Sequence, residues 1–242
     1  MYQERFYRKN FTKGWFSYEI VSGESDILVK SKRRLDERFI SDLLNKYRKD
    51  IQDYIERFPE FKSCLSRFPL KRPAPKIVEE MIERTSLLDV GPMASVAGAI
   101  AEYLGKELLK FSDELLVENG GDIFIKKEDS ISLGLYAGEG SFLNDLTLQI
   151  ESPSSYLGIC SSSSFLGHSL SLGSADLAVV VSTSATFSDA LATKLANMVY
   201  REEDIQFAID YACNLAYRPE AVLILKREKV GLWGNLTIRG KK

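Results

Sequence analysis

The apolar positions of this chain follow a helical period in several places. Between residues 35 and 55, apolar side chains recur every three or four positions, and Pro59 follows the last of them. A second helix is predicted to open at Pro75, and a third to cover roughly residues 93–109 with an alanine-rich face. Two more helices are predicted near residues 189–200 and 203–215. Residues 61–75 hold three prolines and four basic residues, which indicates a loop.

Shorter apolar runs bounded by turn residues predict β-strands in the rest of the chain. A hairpin is expected near the N-terminus, with strands at 15–21 and 26–29. Further strands are predicted at 115–117, 123–125, 131–136, 146–150, 156–160, 176–181, 221–225, 230–233 and 236–238. Because the helices cluster between strands that follow one another closely, the pattern indicates the α+β class, with an antiparallel sheet packed with helices. We expect residues 1–242 to form a single domain.

Composition and charge narrow the classes of function. With 45% hydrophobic and 27% charged residues, the 242-residue chain is typical of a globular protein with a substantial core. Its net charge of −2 argues against nucleic acid as a partner. There is no apolar run of the roughly 20 residues that a membrane span needs, and no signal peptide is expected. Three widely separated cysteines (Cys64, Cys160 and Cys213) favour the cytoplasm over a disulfide framework or a zinc site.

The most informative stretch is Ser188-Asp-Ala-Leu-Ala-Thr193, which follows a strand and is predicted to open a helix. Asp189 and Thr193 are four residues apart, so they would lie on one helix face, one turn apart. A carboxylate and a hydroxyl so placed suit a hard cation such as Mg²⁺, which keeps positions for phosphate and water. The alternative is a solvated, capped helix start, because Ser184, Thr186 and Ser188 are all suitable N-cap residues.

A second candidate lies between two predicted strands, at Asn119, Gly120, Gly121 and Asp122. The two glycines and the two Asx side chains are typical of a hairpin turn. The same glycines would also let a flat ring or a phosphate approach the backbone closely. Asn119 could then read the hydrogen-bonding edge of such a ligand.

A serine run precedes the chain's single histidine. The run comprises Ser161, Ser162, Ser163 and Ser164, and Gly167 and His168 follow it. Hydroxyls and backbone amides of this kind can cradle an anion, and a flexible serine-rich loop is the alternative. A neutral imidazole near pH 7 is a usable general base. The chain has neither a Gly-x-Ser-x-Gly elbow nor a P-loop.

The order of these pieces resembles the ApbE-type flavin transferases. Members carry Asp-Leu-Gly-Gly-Ile-Ala-Lys-Gly, an Asn-x-Gly-Gly-Asp turn, a Thr-Ser-Gly turn, a histidine loop and an Ala-Asp-Ala-Leu-Ala-Thr-Ala helix start. The corresponding segments here are Asp89-Val-Gly-Pro-Met-Ala94, 119–122, 161–164, Gly167-His168 and 188–193, which together lie within about residues 89–199. The resemblance implies a T-fold-like α+β architecture, FAD as substrate and Mg²⁺ on its pyrophosphate. FMN would pass to a threonine hydroxyl of an acceptor protein, whereas some members hydrolyse FAD to FMN and AMP.

The same resemblance assigns roles to particular residues. Asp189 and Thr193 would bind the metal, together with the backbone carbonyl of Ala94. The residues assigned to the nucleotide are Asn119, Gly120, Gly121, Asp122, Ser161, Ser162 and Ser163. His168 would sit near the phosphate that is transferred. This chain departs from the family in two places: Ser95 stands where the family has lysine, and the Asp-Pro-x-Thr-Gly sequence after the histidine is absent.

Two hypotheses follow from the sequence. The first is a cytosolic ApbE-like protein that binds a flavin nucleotide or another dinucleotide through Mg²⁺, with FMN transfer or FAD pyrophosphate hydrolysis as its reaction. The alternative is a non-catalytic binding or assembly module of the same fold, for which a role in sulfur assimilation is one option. In the alternative, Asp189 is a structural cap. A protein acceptor and a second copy of the chain, in a homodimer, are the protein partners considered, and neither nucleic acid nor a membrane is expected.

Overall fold

The helices form where amphipathic periodicity and capping residues coincide. The computed structural model describes residues 14–136, 141–151, 155–163 and 175–240. Within them the helices are α1 (Glu37–Arg57), α2 (Glu60–Ser63), α3 (Lys76–Ser86), α4 (Val96–Leu108), α5 (Ala185–Met198) and α6 (Asp204–Cys213). The start of α1 is capped by Asp36, whose carboxylate accepts a hydrogen bond from the Arg38 amide at 2.9 Å. The buried side of α1 consists of Ile40, Leu44, Tyr47, Ile51 and Tyr54, which are among the positions that the sequence period predicts.

The strands form two antiparallel sheets. They are β1 (Phe16–Ser22), β2 (Ser25–Ser31), β3 (Leu115–Asn119), β4 (Asp122–Lys126), β5 (Ile131–Gly134), β6 (Leu146–Ile150), β7 (Leu157–Ser162), β8 (Leu177–Ser182), β9 (Ala221–Lys226), β10 (Lys229–Gly234) and β11 (Thr237–Gly240). The larger sheet has eight strands in the order β1-β2-β3-β4-β7-β8-β9-β10, and the smaller has three in the order β11-β6-β5. The α+β class and the antiparallel pairing predicted from the sequence are confirmed.

The eight-stranded sheet lies between the helices and the three-stranded sheet. On β3, Leu115 and Val117 pack with the apolar residues of α1, α3 and α4, whereas Leu116 packs with the three-stranded sheet. The α5 and α6 helices cover the β8 and β9 part of the same face. Central strands are therefore buried on both sides, which explains why β8 is a continuous apolar run with no alternation.

The start of α5 differs from the sequence prediction. The α5 helix begins at Ala185, not at Asp189, so Asp189 lies in the second turn and not at the helix start. Ser184 is the N-cap, and its hydroxyl accepts a hydrogen bond from the Phe187 amide at 3.2 Å. Several suitable cap residues follow one another here, and the helix is almost entirely buried, so no amphipathic period marks its first residue. The predicted loop at 61–75 also contains the end of α2.

Candidate functional site

The Asn119–Asp122 segment is a two-residue hairpin turn between β3 and β4. Asn119 and Asp122 are paired in register, and both central glycines have positive φ, 69° at Gly120 and 104° at Gly121. Positive φ at both central positions is the geometry that glycine allows at little cost. The buried Glu118 stabilises the turn, because its carboxylate accepts a hydrogen bond from the Gly121 amide at 2.7 Å.

Side chains of the turn tie it to α4 and to β7. The Asn119 amide group donates a hydrogen bond to the Ala97 carbonyl oxygen in α4, at 3.2 Å. The Asp122 carboxylate accepts one from the Ser161 amide in β7, also at 3.2 Å. The turn therefore holds three elements together and occupies a fixed position at the end of the sheet.

The serine run is partly strand. Ser161 and Ser162 belong to β7, and Ser163 follows directly and is buried. The Ser161 hydroxyl lies next to Gly121, 3.4 Å from where a Cβ on that glycine would stand. Ser161 therefore lies beside the hairpin turn, whereas the side chain of Ser162, the next residue of the strand, points to the other face of the sheet. Ser164 and His168 lie outside the residues that the structure describes.

Asp189 caps a helix, but not its own. Its carboxylate accepts a hydrogen bond from the Gly98 amide at 2.8 Å, and Gly98 belongs to the first turn of α4. The contact requires the two helices to lie very close together, since a Cβ on Gly98 would stand 2.3 Å from the Ala185 carbonyl oxygen. Of the capped and solvated helix start considered as the alternative, the cap is present at Ser184, but the first turn of α5 is buried and not solvated. Asp189 instead satisfies an amide at the start of the neighbouring helix.

Asp189 and Asp122 lie close enough for their charges to interact in a buried place. Burial raises the pKa of Asp189, the negative charge of Asp122 raises it further, and the amides of Gly98 and Ala97 act in the opposite direction. Burial and both carboxylates also raise the pKa of the Cys160 thiol. Cys160 is therefore a protonated thiol rather than a nucleophile, and the two acidic groups form the centre of the candidate site.

These donors fit a hard cation better than they fit a soft one. Thr193 is buried one turn after Asp189, and Ala94 lies in a 3₁₀ turn, Pro92–Ser95, that packs against α5. Two carboxylates, a hydroxyl and a carbonyl are all oxygen donors, and Mg²⁺ usually takes one or two carboxylates and keeps positions for phosphate and water. In the part of the chain that the structure describes, no group of three or more His, Cys, Asp or Glu residues could hold a metal ion, so a cation here would also need hydroxyl and carbonyl oxygens.

Ser95 has no positive charge to offer a ligand, unlike the lysine that the ApbE-type family has at this position. Ser95 is completely buried, and its hydroxyl donates a hydrogen bond to the Pro92 carbonyl oxygen at 2.9 Å. The serine therefore belongs to the interior of the 3₁₀ turn and does not reach toward a ligand.

Sequence reasoning missed Glu102. Its carboxylate is buried within α4 and accepts hydrogen bonds from the first turn of α5. The only signal in the sequence is a glutamate in an otherwise apolar stretch, with Lys106 four residues later.

The fold is that of the ApbE flavin transferases. The flavin transferase ApbE of Vibrio cholerae superposes with a TM-score of 0.59, covering 94% of this chain and 97% of that one, at 12% identity. The Pseudomonas stutzeri flavinyl transferase ApbE superposes with a TM-score of 0.60, covering 94% and 95%, at 11% identity.

The chain itself belongs to the family described as AbpE bacteria, whose pattern it matches over residues 8–219. A UPF0280 protein of Methanocaldococcus jannaschii is 32% identical over 227 residues, 92% of each chain. A UPF0280 protein of Methanothrix thermoacetophila is 35% identical over 193 residues, 78% of this chain and 79% of its own. Among the described residues, no helix is both long enough and apolar enough to cross a bilayer.

Proposed function

We propose that this protein binds FAD with Mg²⁺ in the cytoplasm and cleaves the FAD pyrophosphate, so that AMP leaves and FMN passes to an acceptor hydroxyl or to water. The observation that carries the proposal is the buried pair of carboxylates, Asp122 and Asp189. Two like charges in a buried site are stabilised when a cation lies between them. Membership of the family and the ApbE fold support a flavin nucleotide as the ligand.

Each part of the site has a role in this proposal. Asp189 and Thr193, with the Ala94 carbonyl, would hold the metal, and Asp122 would add a second negative charge close to it. The metal, when bound, neutralises charge that develops on the pyrophosphate. Gly120 and Gly121 leave the backbone of the turn open to the nucleotide. Ser161, Ser162 and Ser163 would contact the nucleotide, and of these Ser161 lies beside Gly121.

His168 is the proposed general base. It would take the proton from the acceptor hydroxyl or water that attacks phosphorus, while the bond to the AMP oxygen breaks. General-base assistance is typically worth about 10²–10⁴-fold in rate. We therefore expect His168→Ala to slow FAD cleavage by roughly that factor while the Kd for FAD stays within about twofold, measured by single-turnover kinetics and flavin fluorescence. A His168→Ala protein with full activity would remove the histidine from the mechanism.

A non-catalytic binding module is the second candidate function. The observation that favours it is the hydrogen bond from the Gly98 amide to Asp189, because a carboxylate engaged with a helix start already has a structural role. The absence of a lysine at position 95 also favours slow chemistry. In this alternative the flavin nucleotide is retained and not cleaved.

Product analysis separates the two candidates. Purified protein is incubated with FAD and either Mg²⁺ or EDTA, and FMN and AMP are quantified by chromatography. The proposal predicts equal amounts of AMP and of free plus protein-linked FMN, formed only with Mg²⁺ and lost in Asp189→Asn. Asp42→Asn, the same change on the exposed face of α1, is the control. Bound but uncleaved FAD would favour the binding module.

A further inference from the structure

Glu102 is a buried carboxylate that joins the two helices of the candidate site. It is 1% exposed and accepts four hydrogen bonds. Lys106 Nζ donates to Oε1 at 2.6 Å. The other oxygen, Oε2, accepts from the Thr186 amide at 2.8 Å and from the hydroxyls of Thr186 and Ser184, each at 2.9 Å. The three donors to Oε2 come from Ser184 and Thr186, at the beginning of α5, so Glu102 caps that helix from α4.

Glu102 and Asp189 form a reciprocal pair of caps. Asp189 of α5 satisfies the Gly98 amide at the start of α4, and Glu102 of α4 satisfies the Thr186 amide at the start of α5. Gly98 and Glu102 are one turn apart on α4, as are Thr186 and Asp189 on α5, so the two contacts stack along one seam between the helices. Carboxylates are favoured at both places, because each lies at the positive end of a helix dipole.

We propose that Glu102 is a positioning residue for the metal and nucleotide site. Because Glu102 binds the first turn of α5, it fixes the position of Asp189 along α4. It thereby fixes the position of the Asp189 carboxylate relative to Asp122. Glu102 itself does not touch the ligand. The effect of Glu102 on Mg²⁺ and nucleotide binding rests on the proposed function. Its effect on the position of Asp189 can be measured without any ligand.

Lys106 lies at the solvent side of Glu102 and supplies its positively charged partner. Its ammonium group is paired with Glu102, and it lies 5.6 Å from the centre of the Tyr156 ring. With Gly98 and Glu102, it continues the same face of α4 at intervals of four residues. The buried carboxylate is thus balanced by one cation and by three donors from α5.

The test is Glu102→Gln, with Glu107→Gln as its control. All four groups that hydrogen-bond to Glu102 are donors, so the amide NH₂ of glutamine would face a donor on one side or the other. Glu107 lies on the same helix and pairs with Lys110 at the surface, at 2.7 Å. Partners that orient a metal ligand typically contribute 10–100-fold to metal affinity. We expect Mg²⁺ affinity in the presence of FAD to fall at least tenfold in Glu102→Gln and to be unchanged in Glu107→Gln.

The exchange of the Gly98 amide proton gives a second readout that needs no ligand. If Glu102 positions Asp189, Gly98 exchanges faster in Glu102→Gln than in the wild type, measured by NMR relative to other α4 amides. A merely structural role would lower the unfolding midpoint but leave both the Mg²⁺ affinity of the folded protein and the relative Gly98 exchange unchanged, and that result would overturn the inference. If the wild type binds no Mg²⁺, the proposed function fails, and the Gly98 exchange still decides the positioning role.

Thr186→Val keeps the inference testable if Glu102→Gln does not fold. The substitution preserves the shape of the side chain and removes one hydroxyl donor from Glu102. We expect Mg²⁺ affinity to be roughly threefold weaker and Gly98 amide exchange to be faster than in the wild type, with both effects smaller than in Glu102→Gln. Wild-type affinity together with wild-type Gly98 exchange in this variant would contradict the proposal.

Discussion

At the scale of single residues, Asp189 combines a structural and a candidate chemical role. One carboxylate oxygen accepts the Gly98 amide, while burial and the neighbouring Asp122 disfavour the charge of the group. The sequence offered a metal ligand and a helix cap as alternatives for this residue. The structure makes them compatible, because a carboxylate has a second oxygen that can serve a cation.

The raised pKa of Asp189 predicts how stability depends on pH in the metal-free protein. The folded state holds a proton on this carboxyl more tightly than the unfolded chain, whose ordinary value is 3.8. Stability from this group is therefore present below about pH 3.8 and is lost as the pH rises through the higher folded value. Urea unfolding in EDTA from pH 4 to pH 8 should show this loss in the wild type.

Asp189→Asn isolates that contribution, because the amide does not titrate. As the pH rises, the free energy of unfolding of the wild type should fall relative to that of Asp189→Asn. A difference that stays constant across the range would show that Asp189 is not held in its neutral form by the fold.

At the scale of elements, the contact between α4 and α5 is what places the site. The two helices approach so closely at Gly98 that a methyl group would overlap the backbone of Ala185. Gly98→Ala should therefore destabilise the protein by about 1–3 kcal/mol through overpacking. It should also weaken FAD binding in the folded protein, because α5 must move away from α4.

Gly240→Ala is the control for that substitution, since a Cβ there meets nothing within 4 Å. Its midpoint in chemical denaturation should stay close to that of the wild type. A Gly98→Ala protein as stable as Gly240→Ala would mean that the helices are not in backbone contact.

The positions of helices and turns could be predicted from the sequence where a local pattern of residues marks the element. The α1 helix has a clear apolar period and a cap, and the glycine turn before β4 has a two-residue signature, so both could be located. The sequence prediction puts the start of α5 one turn late, because the helix is buried on almost every side and its apolar residues show no period. Glu102 could not be found, since its partners Ser184 and Thr186 are distant in sequence and meet it only in the folded chain.

At the scale of the whole molecule, the fold brings together motifs that are far apart in sequence. The turn after β3, the end of β7 and the second turn of α5 meet on the helical side of the eight-stranded sheet. The order of motifs and the family resemblance could predict that these residues share a site. Their contacts, including the approach of Asp122 to Asp189, could not be read from spacing.

The composition of the proposed site predicts a ranking of flavin ligands. FAD has a pyrophosphate that can offer a metal two oxygens, FMN has a single phosphate and riboflavin has none. With Mg²⁺ present, we expect the Kd to rise in the order FAD, FMN, riboflavin, as measured by quenching of flavin fluorescence. Equal affinity for all three would indicate that the isoalloxazine ring alone is recognised and that the carboxylates do not take part.

In the proposed function, Asp189 and Asp122 form a Mg²⁺-dependent dinucleotide site. Calorimetric titration of Mg²⁺ into the protein saturated with FAD tests it most directly, with Asp189→Asn and Asp42→Asn measured alongside. We predict that the wild type and Asp42→Asn each bind one Mg²⁺ per chain, and that Asp189→Asn binds it at least tenfold more weakly. An Asp189→Asn protein that is folded and binds Mg²⁺ as tightly as the wild type would contradict it.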